Sequence, residues 1–185
     1  TTANSNTSIG YKSLFTNTVG FDNAAFGKSA LCLLTDGDYN TAIGAGSMAK
    51  TTTGLRNTAV GNNSLICNTT GTANTAVGGT DAGTLPVMWK NTTGVCNAAF
   101  GTGALSCNTT GGCNSSVGFR AGCNVTTGDN NVFVGNLAGT DAVRNVTTGD
   151  NNIVIGNNSS ATAHIKIDWT VTSDERDKMN FEPVP

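Results

Sequence analysis

The sequence predicts an all-β fold, a parallel β-solenoid built from 17-residue repeats. The first observation is the unit N-x-x-[V/I/F]-G, which occurs nine times and begins at Asn6, Asn23, Asn40, Asn57, Asn74, Asn97, Asn114, Asn131 and Asn152. Six of the eight intervals between these asparagines are 17 residues, and the other two are 23 and 21. The second observation is a glycine three residues before eight of these asparagines. A fixed period of this kind indicates stacked copies of one supersecondary unit.

Each unit is expected to form one coil of the solenoid, with positions counted from its asparagine. Position 4 is the only position that is large and apolar in every unit, and its residues are of the types that strands prefer. We therefore predict that it forms the core column, which consists of Ile9, Phe26, Ile43, Val60, Val77, Phe100, Val117, Val134 and Ile155. Position 5 is always glycine, as at a corner with positive φ, and the T-T-G segment supplies a second corner. The short segments between corners predict two strands and two turns per unit.

The remaining positions of the unit predict how the coils are held together. Asparagines stacked at position 1 are expected to hydrogen-bond along the stack and fix its register. Position 3 is alanine or serine in the first seven units, and alternation along a strand places it opposite the core column. A column of small residues suggests close approach of a symmetric copy, and we expect a homotrimer around a common axis. The last units are apolar at Val132, Phe133, Ile153 and Val154, and a free monomer would expose them.

Composition excludes several classes of function. The chain has 185 residues and a net charge of −2, which gives no indication of nucleic acid or of an anionic membrane as a partner. No apolar run approaches the length of a transmembrane helix, so no membrane insertion is expected. The six cysteines form no C-x-x-C pair and the chain has one histidine, so no metal site and no cofactor are expected.

The cysteines themselves are expected to be free and buried, as small apolar residues usually are. They are Cys32, Cys67, Cys96, Cys107, Cys113 and Cys123. Cys96 and Cys113 are one repeat apart and would stack within the range of a disulfide, which leaves a bridge between them open.

The repeat unit resembles sequences of two kinds of surface protein. N-x-x-[V/I]-G followed by alanine or serine resembles the head repeats of trimeric autotransporter adhesins, and the resemblance covers residues 6–156. It implies a left-handed parallel β-roll with three chains around one axis, although the adhesin unit is typically shorter, which leaves the handedness open. Longer units of this kind are similar to those of viral tail-fibre proteins.

The end of the chain carries a second resemblance. Residues 172–178, T-S-D-E-R-D-K, are similar to the opening of the endosialidase-type intramolecular chaperone found at the C-terminus of phage fibres and tailspikes. The resemblance implies self-cleavage between Thr172 and Ser173, with Ser173 as nucleophile and Lys178 as its basic partner. We accordingly expect a solenoid shaft over residues 1–156, a β-strand neck over 157–172, and the start of a truncated chaperone domain over 173–185.

Together these features predict a structural and adhesive fibre protein of a virion, made in the host cytoplasm, that mediates host attachment. Its partners would be copies of itself and a host cell-surface receptor such as a glycan. Two insertions interrupt the period, near Trp89 and near Arg144, and insertions in solenoids often form the binding face. Trp89, Lys90, Met88 and Arg144 are therefore the candidate receptor contacts. The alternative for Trp89 is packing in a local gap or on a neighbouring chain.

Three other functions fit the sequence less well. A bacterial autotransporter head should continue into a coiled-coil stalk, in place of which this chain has the S-D-E-R-D-K block. An ice-binding solenoid should show a regular T-x-T array, whereas position 2 varies between threonine, alanine, serine, valine and isoleucine. A glycan-cleaving enzyme needs paired carboxylates, and the acidic residues of the repeats form no recurring pair. We expect no enzymatic activity apart from the single self-cleavage.

Overall fold

The fold is a single sheet of parallel strands, seen in a computed structural model that describes residues 2–80, 85–141 and 144–160. The strands are β1 (Thr7–Ile9), β2 (Ala24–Phe26), β3 (Thr41–Ile43), β4 (Thr58–Val60), β5 (Thr75–Val77), β6 (Ala98–Phe100), β7 (Ser115–Val117), β8 (Val132–Val134) and β9 (Ile153–Ile155). Each strand pairs in parallel with the next strand in the chain. Equivalent positions always face each other, and neither insertion shifts the register. The predicted β-solenoid is confirmed.

Each coil, or rung, of the solenoid contains one three-residue strand rather than the two that were predicted. The return path consists of turns, in which positions 7, 9 and 17 mostly hold non-glycine residues at positive φ. In the fourth rung these are Asn63, Leu65 and Ala73, with φ of 53°, 53° and 56°. Residues in the left-handed region turn the chain sharply, so the return path cannot be extended. Hydrogen bonds between rungs, such as that from Leu65 N to Val87 O at 3.1 Å, hold these turns in the stack.

The core lies on the opposite side of the strands from the side that the sequence predicted. Position 3 points inward, and its alanines are fully buried from Ala25 to Ala99, whereas position 4 points outward. The prediction that position 4 forms the core is therefore wrong. The physical reason is the narrowness of the coil, because position 9 on the opposite wall already fills it with a large side chain. These side chains, all fully buried, are Leu31, Met48, Leu65, Met88 and Leu105.

Near the end of the solenoid, the large residue and the small residue that face each other across the core change places. Position 9 becomes Gly122 and then Gly139, and position 3 becomes Phe133, the largest fully buried side chain. A Cβ atom added at Gly122 would lie 2.6 Å from the Phe133 ring, and one added at Gly139 would lie closer still. The phenyl ring therefore occupies the space that leucine or methionine fills in earlier rungs.

A ladder of buried asparagines runs through the core at position 1, as predicted. In the fourth rung, backbone N and Nδ2 of Asn57 donate to Oδ1 of Asn40 at 3.0 and 3.1 Å. Nδ2 of Asn57 also donates to the carbonyl of Gly71 at 2.9 Å, across its own rung. Every rung after the first repeats the bond to the preceding asparagine, so the ladder fixes the register between rungs and closes each coil.

A second, shorter ladder at position 12 was missed by the sequence analysis. Nδ2 of Asn91 donates to Oδ1 of Asn68 at 3.0 Å, and Nδ2 of Asn108 donates to Oδ1 of Asn91 at 2.9 Å. The column continues with Thr51 on one side and Val125 on the other, where the amide series stops. Thr51 Oγ1 and Asn108 Oδ1 are consequently buried without a hydrogen-bond partner.

Candidate functional site

The most prominent surface feature is a continuous column of exposed apolar side chains on the outward face of the sheet. We call this column the apolar stripe; it consists of the position 4 residues Ile9, Phe26, Ile43, Val60, Val77, Phe100, Val117, Val134 and Ile155. The exposed fraction of its large side chains ranges from 36% for Phe26 to 69% for Ile155, while Val60 and Val77 are half-buried. With strands about 4.8 Å apart, the stripe is about 38 Å long. Apolar surface of this extent is typical of an interaction site.

Beside the stripe, position 2 forms the second column of the same face. It is small or hydroxylated from Thr7 to Ser115, and it becomes Val132 and Ile153 in the last two strands. Ile153 is 70% exposed. None of the nine strands contains an ionisable residue, so the whole face is uncharged. The apolar surface is therefore one residue wide over most of its length and two residues wide at β8 and β9.

Of the predicted receptor contacts near the first insertion, two reach the surface and one lies in the core. Lys90 is exposed and Trp89 is half-buried, with Nζ of Lys90 lying 5.9 Å from the centre of the Trp89 ring. Met88 is fully buried at position 9, so it packs in the core and cannot touch a receptor. Met88 N donates to Ala104 O at 2.9 Å, which shows that the chain has rejoined the rung by that residue.

Arg144, in the second insertion, is exposed and lies away from Trp89. Its backbone N donates to Asp141 Oδ1 at 3.0 Å, and its guanidinium donates to Asn152 Oδ1. Arg144 belongs to the eighth rung and Trp89 to the fifth, a separation of about 14 Å along the stack. The two insertions are therefore three rungs apart along the stack.

Aromatic and basic residues also cluster on the first rungs, which the sequence analysis did not single out. Tyr39 makes an edge contact with Phe21, with ring centres 5.3 Å apart, and the guanidinium of Arg56 lies 5.8 Å from the Tyr39 ring. These residues occupy positions 16 and 17 of successive rungs, so aligning the repeats would have revealed the cluster.

The six cysteines are free, and they differ in burial. Cys96 and Cys113 are exposed, which contradicts the prediction of burial for these two, and Cys123 is buried. Burial raises the pKa of the Cys123 thiol, and the hydrogen bond and charge of Arg120 oppose that shift.

The described part of the chain comprises residues 2–80, 85–141 and 144–160. Within it, no three metal-binding side chains are grouped, and no helix has the length and apolarity needed to cross a membrane. The β-strand neck predicted over residues 157–172 is wrong at its start, because residues 157–160 form a turn in which Ser160 N donates to Asn157 O at 2.9 Å. The rest of the neck, and Ser173 and Lys178 of the predicted cleavage site, lie outside the described residues.

Comparison of the chain with protein-family models, with curated proteins and with solved structures found no match. The repeat and the outward face of its sheet are the described features that indicate a function.

Proposed function

We propose that this chain is the shaft of a homotrimeric fibre, in which three parallel copies pack along their apolar stripes, and that the fibre is a structural and adhesive part of a virion. The observation that carries the proposal is the uncharged outward face with its apolar stripe. Nothing in the described part of the chain covers that face. The sequence-based expectation of a trimer rested on the small residues of position 3 and on the apolar last units. The alanine column is buried inside each copy and has no part in the interface. In the last units, Phe133 is buried and Val154 packs against the core, so the expectation that a free monomer exposes them is wrong, whereas Val132 and Ile153 do point outward.

The free energy available from the stripe is sufficient for association. Covering the exposed half of each large side chain gains roughly 1 kcal/mol, which is on the order of 9 kcal/mol per copy over the nine stripe residues. Association costs an estimated 4–15 kcal/mol in lost translational and rotational freedom. Two copies that cover their stripes gain on the order of 18 kcal/mol against one such cost. Three copies gain on the order of 27 kcal/mol against two such costs, so burial of the stripe exceeds the cost over most of that range.

A second copy is the partner whose shape suits the stripe best. A partner must present apolar groups at the strand spacing over about 38 Å, and another copy does so because its rungs rise by the same step. The large residues of position 4 stand beside the small residues of position 2, so the face slopes. A sloping face favours copies that converge on an axis, which agrees with the three-chain arrangement implied by the resemblance to autotransporter heads.

The assignment to a virion rests on the resemblance of residues 172–178 to the phage-fibre chaperone. The adhesive part would be the surface at Trp89 and Lys90 or that at Arg144, since both interrupt an otherwise uniform shaft. Replacing Trp89 with alanine tests this part: host adsorption should fall while the association state stays unchanged. Unchanged adsorption by a normally folded variant would remove Trp89 from the receptor surface.

Sedimentation equilibrium tests the assembly. The native chain should sediment at three times its mass of 18.7 kDa. Val60→Asp should yield folded monomers, because three carboxylates would meet at the axis, whereas Thr53→Asp on the exposed return path should remain trimeric. A wild-type chain that is monomeric with intact β-structure would refute the proposal.

A further inference from the structure

Over most of its length, the outward face of the solenoid gives almost no preference for one axial alignment of neighbouring copies over another. From β2 to β6 the outward pair is alanine or threonine at position 2 and a large apolar residue at position 4. A neighbouring copy that slides by one rung, about 4.8 Å, meets almost the same surface again. The apolar stripe therefore favours association without selecting one alignment.

The last two strands differ from the others in a way that removes this ambiguity. In β8 and β9, Val132 and Ile153 replace the small residue at position 2, beside Val134 and Ile155 of the stripe. Of these four side chains, Ile153 and Ile155 are the most exposed, at 70% and 69%. In the described part of the chain, Ile153 and Ile155 have a neighbouring strand on one side alone, where Val132 and Val134 pair with them, so they keep the largest exposed fractions of the four.

We propose that these four residues form a register clamp, in which the last two rungs of each copy pack only on the last two rungs of its neighbours. The inference rests on the proposed assembly along the stripe. When copies are aligned, the two-residue-wide apolar surfaces meet each other completely. A slip of one rung exposes β9 of one copy to solvent and places Val132 against Ser115 of the other. The same slip uncovers one apolar residue, Ile9, at the first rung, but at the clamp it uncovers two and also places a large position 2 residue against a small one. Val132 and Ile153 therefore determine the alignment while the rest of the stripe supplies affinity.

Cysteine cross-linking along the axis measures the register directly. Copies carrying Val60→Cys are co-expressed with copies carrying Val77→Cys, and the assembly is oxidised with glutathione disulfide. Aligned copies join residue 60 to 60 and 77 to 77, whereas a slip of one rung joins 60 to 77. Disulfides tolerate only a narrow range of Cα separation, so a 4.8 Å offset changes which pair forms. Peptide mass spectrometry quantifies the three bonds and distinguishes them from bonds of the native cysteines.

The clamp is then removed with Val132→Thr and Ile153→Thr, which restore the threonine found at position 2 of β3, β4 and β5. With the clamp intact, we expect like-with-like bonds to exceed the 60-to-77 bond at least tenfold; without it, the ratio should approach one. The matched control, Phe26→Thr with Ile43→Thr, removes two stripe residues far from the clamp and should weaken association without changing the ratio.

The outcomes separate the two proposals. If assemblies form and the ratio is the same with and without the clamp, the clamp is refuted and the fibre assembly stands. If the intact chain sediments as a monomer and forms no intermolecular bond between the introduced cysteines, the assembly itself is refuted. All four substituted clamp and control positions point outward from the sheet, so circular dichroism and thermal melting should show normal folding of each variant.

Discussion

The exchange of large and small residues across the core at Phe133 can be tested quantitatively. Phe133 is fully buried, and its ring lies over Gly122 and Gly139, which have no side chains to move into an empty space. Replacement of a buried phenylalanine by alanine costs about 3–5 kcal/mol, and sites that cannot collapse lie at the upper end of that range. We therefore expect Phe133→Ala to lower the free energy of unfolding by about 4–5 kcal/mol.

The second half of the test restores the arrangement of the earlier rungs. Gly139→Leu alone should be destabilising, because the added side chain overlaps the Phe133 ring. Combined with Phe133→Ala, the same leucine should fill the space that the ring vacated, as Leu65 does opposite Ala59. Position 139 has a φ of 72° and Leu65 one of 53°, so leucine can occupy the site at a strain cost of about 1 kcal/mol.

The measurement is a double-mutant cycle on urea unfolding, followed by circular dichroism at one protein concentration. The double variant should be more stable than the sum of the single effects by at least about 2 kcal/mol. Additive losses would show that Phe133 and the position 9 residues do not share one space, and would refute the exchange of large and small residues across the core.

Three further predictions concern the second ladder, the thiols and the end of the chain. Thr51→Asn should raise the free energy of unfolding by about 1 kcal/mol, because its amide would extend the ladder to Asn68 and remove a buried hydroxyl without a partner; an unchanged urea midpoint would contradict this. Iodoacetamide at pH 8 should modify Cys96 well before Cys123, which is buried and has a raised pKa, and peptide mass spectrometry showing equal rates would count against the described burial. If the chaperone resemblance holds, a longer chain that includes the chaperone should be cut, and Ser173→Ala should abolish the cut; identical masses on a denaturing gel would exclude Ser173 as nucleophile.

Much of the fold could be predicted because the same sequence pattern recurs in every rung. The start of each strand, the parallel register and the asparagine ladder all follow from a fixed spacing of position 1 and the need of buried amides for partners. The number of strands per rung could not be predicted in the same way. Residues such as Leu65 and Met88 adopt a positive φ that their types disfavour, and the hydrogen bonds between rungs and the burial of these side chains compensate for that strain.

The candidate site was predicted in part. A self-association surface was expected on the alanine column, but that column is buried, and Met88 was placed on the surface when it lies in the core. The surface at Trp89 and Lys90 and that at Arg144 remain predictions, as does the cleavage site beyond the described residues.

The sequence by itself therefore determined the period, the stacking and the identity of the residues that alternate across each strand. The tertiary structure decided which of the two alternating columns faces inward. Alternation specifies that positions 3 and 4 point in opposite directions, but not which direction is inside. That choice depends on the width of the coil. The leucine or methionine at position 9 fills most of this width from the opposite wall. The space that remains holds an alanine such as Ala59 but not a larger residue such as Phe26.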